Sequence, residues 1–147
     1  MKFQGSIIIN KDKETVSKLY VDPKHMGEYQ DGFVSKKLVS GDLNAEGSKS
    51  KIWYKYGKRD MELIETVTAN HLPDSFDAFF EHKHMDNTLK VNFKEIEPGK
   101  TEFSYEGEYV KVRGLMPKLM MMLFPSMFKK PAEKWYTNFK AFVEKQA

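Results

Sequence analysis

The stretch Lys49-Ser-Lys-Ile-Trp-Tyr-Lys-Tyr-Gly-Lys-Arg-Asp-Met-Glu-Leu-Ile-Glu-Thr-Val-Thr-Ala69 decides the fold. Before the Gly57–Asp60 break, Ile52, Tyr54 and Tyr56 share one face, while Lys49, Lys51, Trp53 and Lys55 share the other. A period of two identifies a strand in a two-faced sheet. A four-residue turn at Gly57–Asp60 pairs Tyr56 with Met61 and puts Met61, Leu63, Glu65 and Val67 on the Tyr54 face. Slipping by one residue would reverse every side chain, so neighbouring hairpins must agree on that face.

They do. Downstream strands are expected at Ser75–His84, Thr88–Ile96 and Thr101–Val112, with Phe33–Ser40 upstream and Phe3–Asn10 opening the chain. A loop centred between Leu72 and Pro73 pairs Leu63 with His82 and Glu65 with Phe80; a turn at Met85–Thr88 pairs His82 with Val91. The common face then gathers Phe76, Ala78, Phe80 and His82 with Leu89, Val91 and Phe93. In the last strand Phe103, Tyr105 and Tyr109 oppose Glu102, Ser104, Glu106 and Glu108. A tight two-residue turn at Pro98-Gly99 would reverse that strand, so an odd-length loop or a bulge near Gly99 is required. The short connections make the region an antiparallel meander.

Helices flank it. Asp12 precedes a run with Val16, Leu19 and Tyr20 at helical spacing and is placed as its cap. Asp22-Pro23 ends that helix or starts a second short one reaching Tyr29. From Pro131 on, Trp135, Phe139 and Phe142 form one stripe of an amphipathic helix. Leu115 to Phe128 is apolar nearly all round, and Pro125 and Pro131 are expected to kink or interrupt the helix.

A chain of 147 residues, 40% apolar and 14% aromatic, fits one domain over 1–147 with a real core. Its charges are interleaved around a net of +3, which argues against a dedicated nucleic-acid surface. Without cysteine there is no disulfide, thiol nucleophile or Cys-based metal site. The start lacks a signal peptide's apolar core, and Leu115–Phe128 is too short and too interrupted for a membrane span. The expectation is a soluble, cytoplasmic protein.

These parts resemble the SRPBCC superfamily, the START-like or helix-grip fold of polyketide cyclase-like proteins and lipid-transfer domains. The residues that carry the likeness are the opening strand, Val21-Asp22-Pro23, Gly47-Ser48, Met61-Glu-Leu-Ile-Glu-Thr-Val-Thr68 and Asn138-Phe-Lys-Ala-Phe-Val-Glu144. The resemblance covers essentially the whole chain. It implies an α+β fold in which seven antiparallel strands grip a long C-terminal helix, with two short helices after the first strand. It also implies an elongated cavity for a small hydrophobic or amphipathic molecule. Carriers, cyclases, hydrolases and heat-shock ATPase activators all share the family, so the fold does not choose among functions.

On the common face, the expected ligand-lining residues are Tyr54, Tyr56, Leu63, Glu65, Phe76, Phe80, His82, Val91, Phe93, Phe103 and Tyr105. The helical segment adds Met116, Met120, Leu123, Phe124 and Met127. A mostly apolar hollow with a few polar groups suits a small molecule; the alternative is a filled core with tyrosine hydroxyls at its rim. The Met cluster reads equally as an adaptable lining or as plain packing. Glu65 lies diagonal to His82, either as an acid/base pair acting on a ligand or as a structural pair. His82 and His84 share a face, but no third metal ligand is evident, and no cofactor is expected. Lys118, Lys129, Lys130 and Lys134 are a solvated helix face or a transient contact with anionic lipid. On the opposite face, Trp53 across from Ile64, with Phe79 diagonal, is a candidate homodimer patch or ordinary surface. The leading expectation is binding or transport of a hydrophobic ligand. The alternatives are a cyclase- or hydrolase-like enzyme using Glu65 and His82, and a heat-shock-activator-like interaction module.

Overall fold

Alternation becomes a seven-stranded antiparallel sheet in the computed structural model, which describes residues 1–146. The order along the chain is β1 (Lys2–Ile9), α1 (Lys13–Val21), a 3-10 turn (Pro23–His25), α2 (Met26–Tyr29), β2 (Phe33–Ser40) and β3 (Lys49–Tyr56). Then come β4 (Arg59–His71), β5 (Ser75–Glu81), β6 (Met85–Glu97), β7 (Lys100–Val112), α3 (Leu115–Leu123) and α4 (Ser126–Glu144). Across the sheet the order is β1-β7-β6-β5-β4-β3-β2. The meander runs from β2 to β7, and β1 returns to pair with β7.

Local chemistry sets the helix starts. Asp12 caps α1, its carboxylate accepting from the Thr15 N–H at 3.1 Å and the Thr15 hydroxyl at 2.8 Å. Those bonds hold the Asp12 carboxyl below its ordinary value. Asp22 caps the next turn, accepting from Lys24 N at 3.0 Å with Pro23 at the first helical position.

The faces follow the sequence, but two registers move. The β3–β4 hairpin closes on two residues, so Tyr56 faces Arg59 and Tyr54 faces Met61. Gly57 takes φ +64°, as a two-residue hairpin requires. The slip is an even number, so Met61, Leu63, Glu65 and Val67 keep the expected face. On the outer face, however, Trp53 now lies opposite Glu62 and Ile64 opposite Lys51, while Phe79 pairs with Thr66. Trp53 is thus diagonal to Ile64 instead of directly across from it, and Phe79 is diagonal to Ile64 in turn. Similarly, β6 begins at Met85, so Val91 faces Phe76 instead of His82, and His82 and His84 sit in a turn beyond β5. Glu65 faces Phe80 as expected. A bulge at Ile96, between the Glu95–Thr101 and Glu97–Lys100 pairs, restores the parity of β7 across the Pro98-Gly99 turn.

The inner face divides into two halves. At one end Ile9, Val91, Phe93 and Phe103 pack against Val16 of α1 and against Tyr136, Phe139 and Val143 of α4. Phe103 is centred 4.9 Å from Tyr136 and 5.6 Å from Phe139, a close-packed aromatic cluster. The other half of the face is not filled.

Pro125 and Pro131 have different effects. The chain leaves helical geometry at Phe124 (φ −131°, ψ 62°), so α3 and α4 are separate helices. Pro131 sits within α4, which continues through it. No residue of α3 is buried.

Candidate functional site

A cavity of about 290 Å³ occupies the open half of the inner face. A single water needs only about 10–15 Å³ on such a measure, so there is room for an organic molecule. Its floor is made of Ile52, Tyr54, Met61, Leu63, Glu65, Phe76, Phe80 and Leu89 from the central strands. Tyr20, Val21, Met26 and Tyr29 close one side, and Phe128, Pro131, Ala132, Trp135 and Tyr136 of α4 form the roof. The same helix thus buries its C-terminal half in the core and suspends its N-terminal half over the hollow.

Polar groups are few and already paired. Lys36 Nζ lies 2.7 Å from Glu65 Oε1, both side chains nearly inaccessible at 6% and 10% exposed. Lys36 faces Ile52, and Glu65 faces Ser50, so the pair reaches diagonally across β3. The Tyr54 hydroxyl donates to Gln30 Oε1 at 2.7 Å, and its ring is stacked between Trp135 (centroids 5.6 Å apart, 15°) and Tyr56 (6.3 Å, 5°). The Tyr29 hydroxyl donates to Tyr20 O at 3.2 Å, and that of Tyr109 to Phe128 O at 3.1 Å. Burial pushes the Tyr20, Tyr29, Tyr54 and Tyr136 phenols well above their ordinary values, so all remain neutral donors. Among the described residues, no buried side-chain nitrogen or oxygen lacks a partner.

Of the sequence-predicted residues, Tyr54, Leu63, Glu65, Phe76, Phe80 and His82 border this cavity. Val91, Phe93, Phe103 and Tyr105 share the face but lie under α1 and α4 in the packed half, away from the hollow. Tyr105 turns its ring over Gly5 and against Tyr136, 4.5 Å between centroids. Tyr56 lies outside the cavity, 41% exposed beyond Tyr54 near the end of the hairpin. Met116, Met120, Leu123 and Phe124 also lie outside it, because the break at Phe124 separates α3 from the helix that roofs the cavity, and Met127 is exposed on the first turn of α4.

The expected Glu65–His82 pair does not form. Glu65 takes Lys36 as its partner. His82 Nδ1 accepts from His84 N at 3.2 Å, and the His82 carbonyl accepts from Arg113 Nη1 at 3.0 Å. Burial, reinforced by neighbouring His84, Lys83 and Arg113, holds the His82 imidazole below its ordinary value. His84 is exposed in the same turn. Arg113 in turn clamps Asp86 through both carboxylate oxygens, at 3.0 and 2.6 Å.

Lys36 is the residue that sequence reading missed. A bulge between Phe33 and Ser35 lets Phe33 face Tyr54 and Lys36 face Ile52, so residues of opposite parity point the same way. The available signal was Glu65 itself, since a carboxylate on an aromatic face requires a cation.

Neither a protein-family model nor a curated protein sequence matches this chain. Solved structures do. A conserved protein from Geobacillus kaustophilus superposes with a TM-score of 0.81 at 17% identity, covering 99% of this chain and 96% of that one. A Streptomyces aromatase/cyclase gives 0.79 at 6% identity, over 98% and 93% of the two chains. A START superfamily protein from Mycobacterium smegmatis gives 0.73 at 12%, over 97% and 94%. At such identities the likeness is one of architecture: the chain has a START-like, helix-grip fold.

Proposed function

We propose that this protein binds and carries a small hydrophobic or amphipathic molecule in the cavity between the sheet and α4. The observation that carries the reading is a largely apolar hollow of about 290 Å³ with the Lys36–Glu65 ion pair at its wall. The apolar body of a ligand would lie among Leu63, Phe76, Phe80, Leu89 and Trp135, lipid-like or polycyclic in character. Because Glu65 already neutralises Lys36, that wall offers both a donor and an acceptor but no net charge. It suits a hydroxyl or carbonyl end better than a carboxylate or an amine. Carriage without chemistry is favoured because Glu65 and His82 are each engaged elsewhere. The absence of cysteine is compatible with the cytoplasm, the compartment proposed.

The test is native mass spectrometry of freshly purified protein, solvent extraction of any adduct, and uptake of a fluorescent apolar probe. An adduct or saturable uptake, displaced more readily by a long-chain alcohol than by the matching acid, is the expected result. Neither adduct nor uptake would overturn the proposal and leave a protein-interaction module as the better reading.

A further inference from the structure

The outward side of α3 is apolar. At 100° per residue, Leu115, Met116, Leu119, Met122 and Leu123 fall within an arc of about 120°. These are also the exposed ones, with Leu115 at 84% and Met122 at 72%. The half-buried residues are Pro117, Met120 and Met121, turned toward the body of the protein. A helix on a soluble domain normally orients the other way, polar side out. Phe124 and Met127 extend the exposed surface past the end of α3. This is a contiguous apolar ridge, which solvent alone does not account for.

Charge identifies what fits it. Between Tyr109 and Ala132 the sequence holds Lys111, Arg113, Lys118, Lys129 and Lys130 and no acidic residue. Those five exceed the +3 net charge of the entire chain, so the rest of the molecule is net negative. Arg113 is engaged by Asp86, and the lysines appear in no ion pair among the described residues. Lys118 lies at the rim of the apolar arc, at the edge where a helix lying on a bilayer places its cations. A second copy docked through the same ridge would bring like charges together around it. A nine-residue helix is also far too short to span, so it can only lie in the interface plane.

We propose that α3 docks onto an anionic membrane surface, its Leu and Met side chains entering the acyl boundary and the flanking lysines meeting acidic headgroups. The placement gives the contact a use. Phe128, Pro131 and Ala132, the first α4 residues on the cavity roof, follow directly from α3. Docking would therefore bring the roof of the cavity against the lipid. The proposal does not rest on the carrier reading, since probe uptake without vesicles tests that one separately.

The experiment is flotation of the full chain with phosphatidylcholine vesicles, with and without phosphatidylglycerol. Expected is binding to the anionic vesicles that weakens with salt and is at least about tenfold poorer on neutral ones. The paired substitutions Met116→Gln and Met122→Gln preserve charge and alter only exposed side chains. They should keep the wild-type melting temperature and lose most of the binding. A second variant, Lys118→Glu with Lys129→Glu, should lose binding as well. No flotation with anionic vesicles would overturn the proposal, as would full binding by the glutamine variant. A concentration-dependent dimer in ultracentrifugation that the glutamine variant dissolves would also overturn it, assigning the ridge to a second copy.

Discussion

Lys36 Nζ and Glu65 Oε1 meet 2.7 Å apart across the width of β3, from strands that are not neighbours in the sheet. Both charges are withdrawn from water at the wall of a hollow whose lining is mostly aromatic and aliphatic. The pair ties the short, bulged edge strand β2 to the centre of the sheet.

Breaking the pair should cost more than removing it. Lys36→Met leaves Glu65 buried without a cation and is expected to lose about 3–5 kcal/mol of stability. Lys36→Met with Glu65→Leu should recover most of that loss, ending within about 1–2 kcal/mol of the original. Urea denaturation of the four proteins of the cycle measures the coupling. Additive losses would show that the two side chains do not depend on each other.

Filling the hollow should abolish uptake without unfolding the protein. Ala132 lines the roof from α4, so Ala132→Trp puts a ring into the space. Probe affinity should fall about tenfold or more, with stability unchanged or raised by up to about 2 kcal/mol. Fluorescence titration and thermal melting together check it. A variant that binds as before would mean that the probe sits elsewhere.

Two glycines of the β1–β7 ladder lie under aromatic rings, Gly5 under Tyr105 and Gly107 under Phe3. A methyl on Gly107 would also come within 2.6 Å of the Thr88 carbonyl oxygen, which is backbone. Gly107→Ala should cost about 1–3 kcal/mol by overpacking. Gly5→Ala, whose neighbours are only side-chain atoms of Tyr105, should cost less. Denaturation midpoints decide the order.

The pH response has two steps with the same sign. The Arg113 guanidinium holds the Asp86 carboxyl below its ordinary 3.8. Its contribution is fully present above that value and is lost as pH falls through the lower folded one. Asp86→Asn should therefore be less stable at neutral pH and lose less on acidification below pH 3.8. His82, held below 6.5 chiefly by burial, favours its neutral form in the folded protein. It withdraws stability as pH drops from 6.5 through its folded value. An imidazole NMR titration midpoint at or above 6.5 for His82 would contradict the geometry.

The common inner face was legible because parity survives register errors of even size. Misplacing the Gly57 turn and the start of β6 left Leu63, Glu65, Phe76 and Phe80 pointing where alternation put them. Cross-strand partners were not protected in this way, so Trp53 came to face Glu62 instead of Ile64. The Glu65–His82 pair failed for another reason: its register held, but Glu65 took Lys36 and β5 ended at Glu81. Lys36 was hidden by a bulge that reverses parity without a glycine or proline to mark it. The exposed ridge of α3 was hidden differently. Apolar residues all round a segment say that it is hydrophobic, and only its path after Phe124 says which side meets solvent.

Sequence alone determined the order of elements, the alternating faces, the capping of α1 and the need for an odd-length loop or a bulge before β7, because each depends on residues close along the chain. Tertiary structure decided which half of the inner face is filled, which cation Glu65 finds, and where α3 lies. Those outcomes depend on how far a curved sheet stands from the helix above it, a distance set jointly by side chains from every strand.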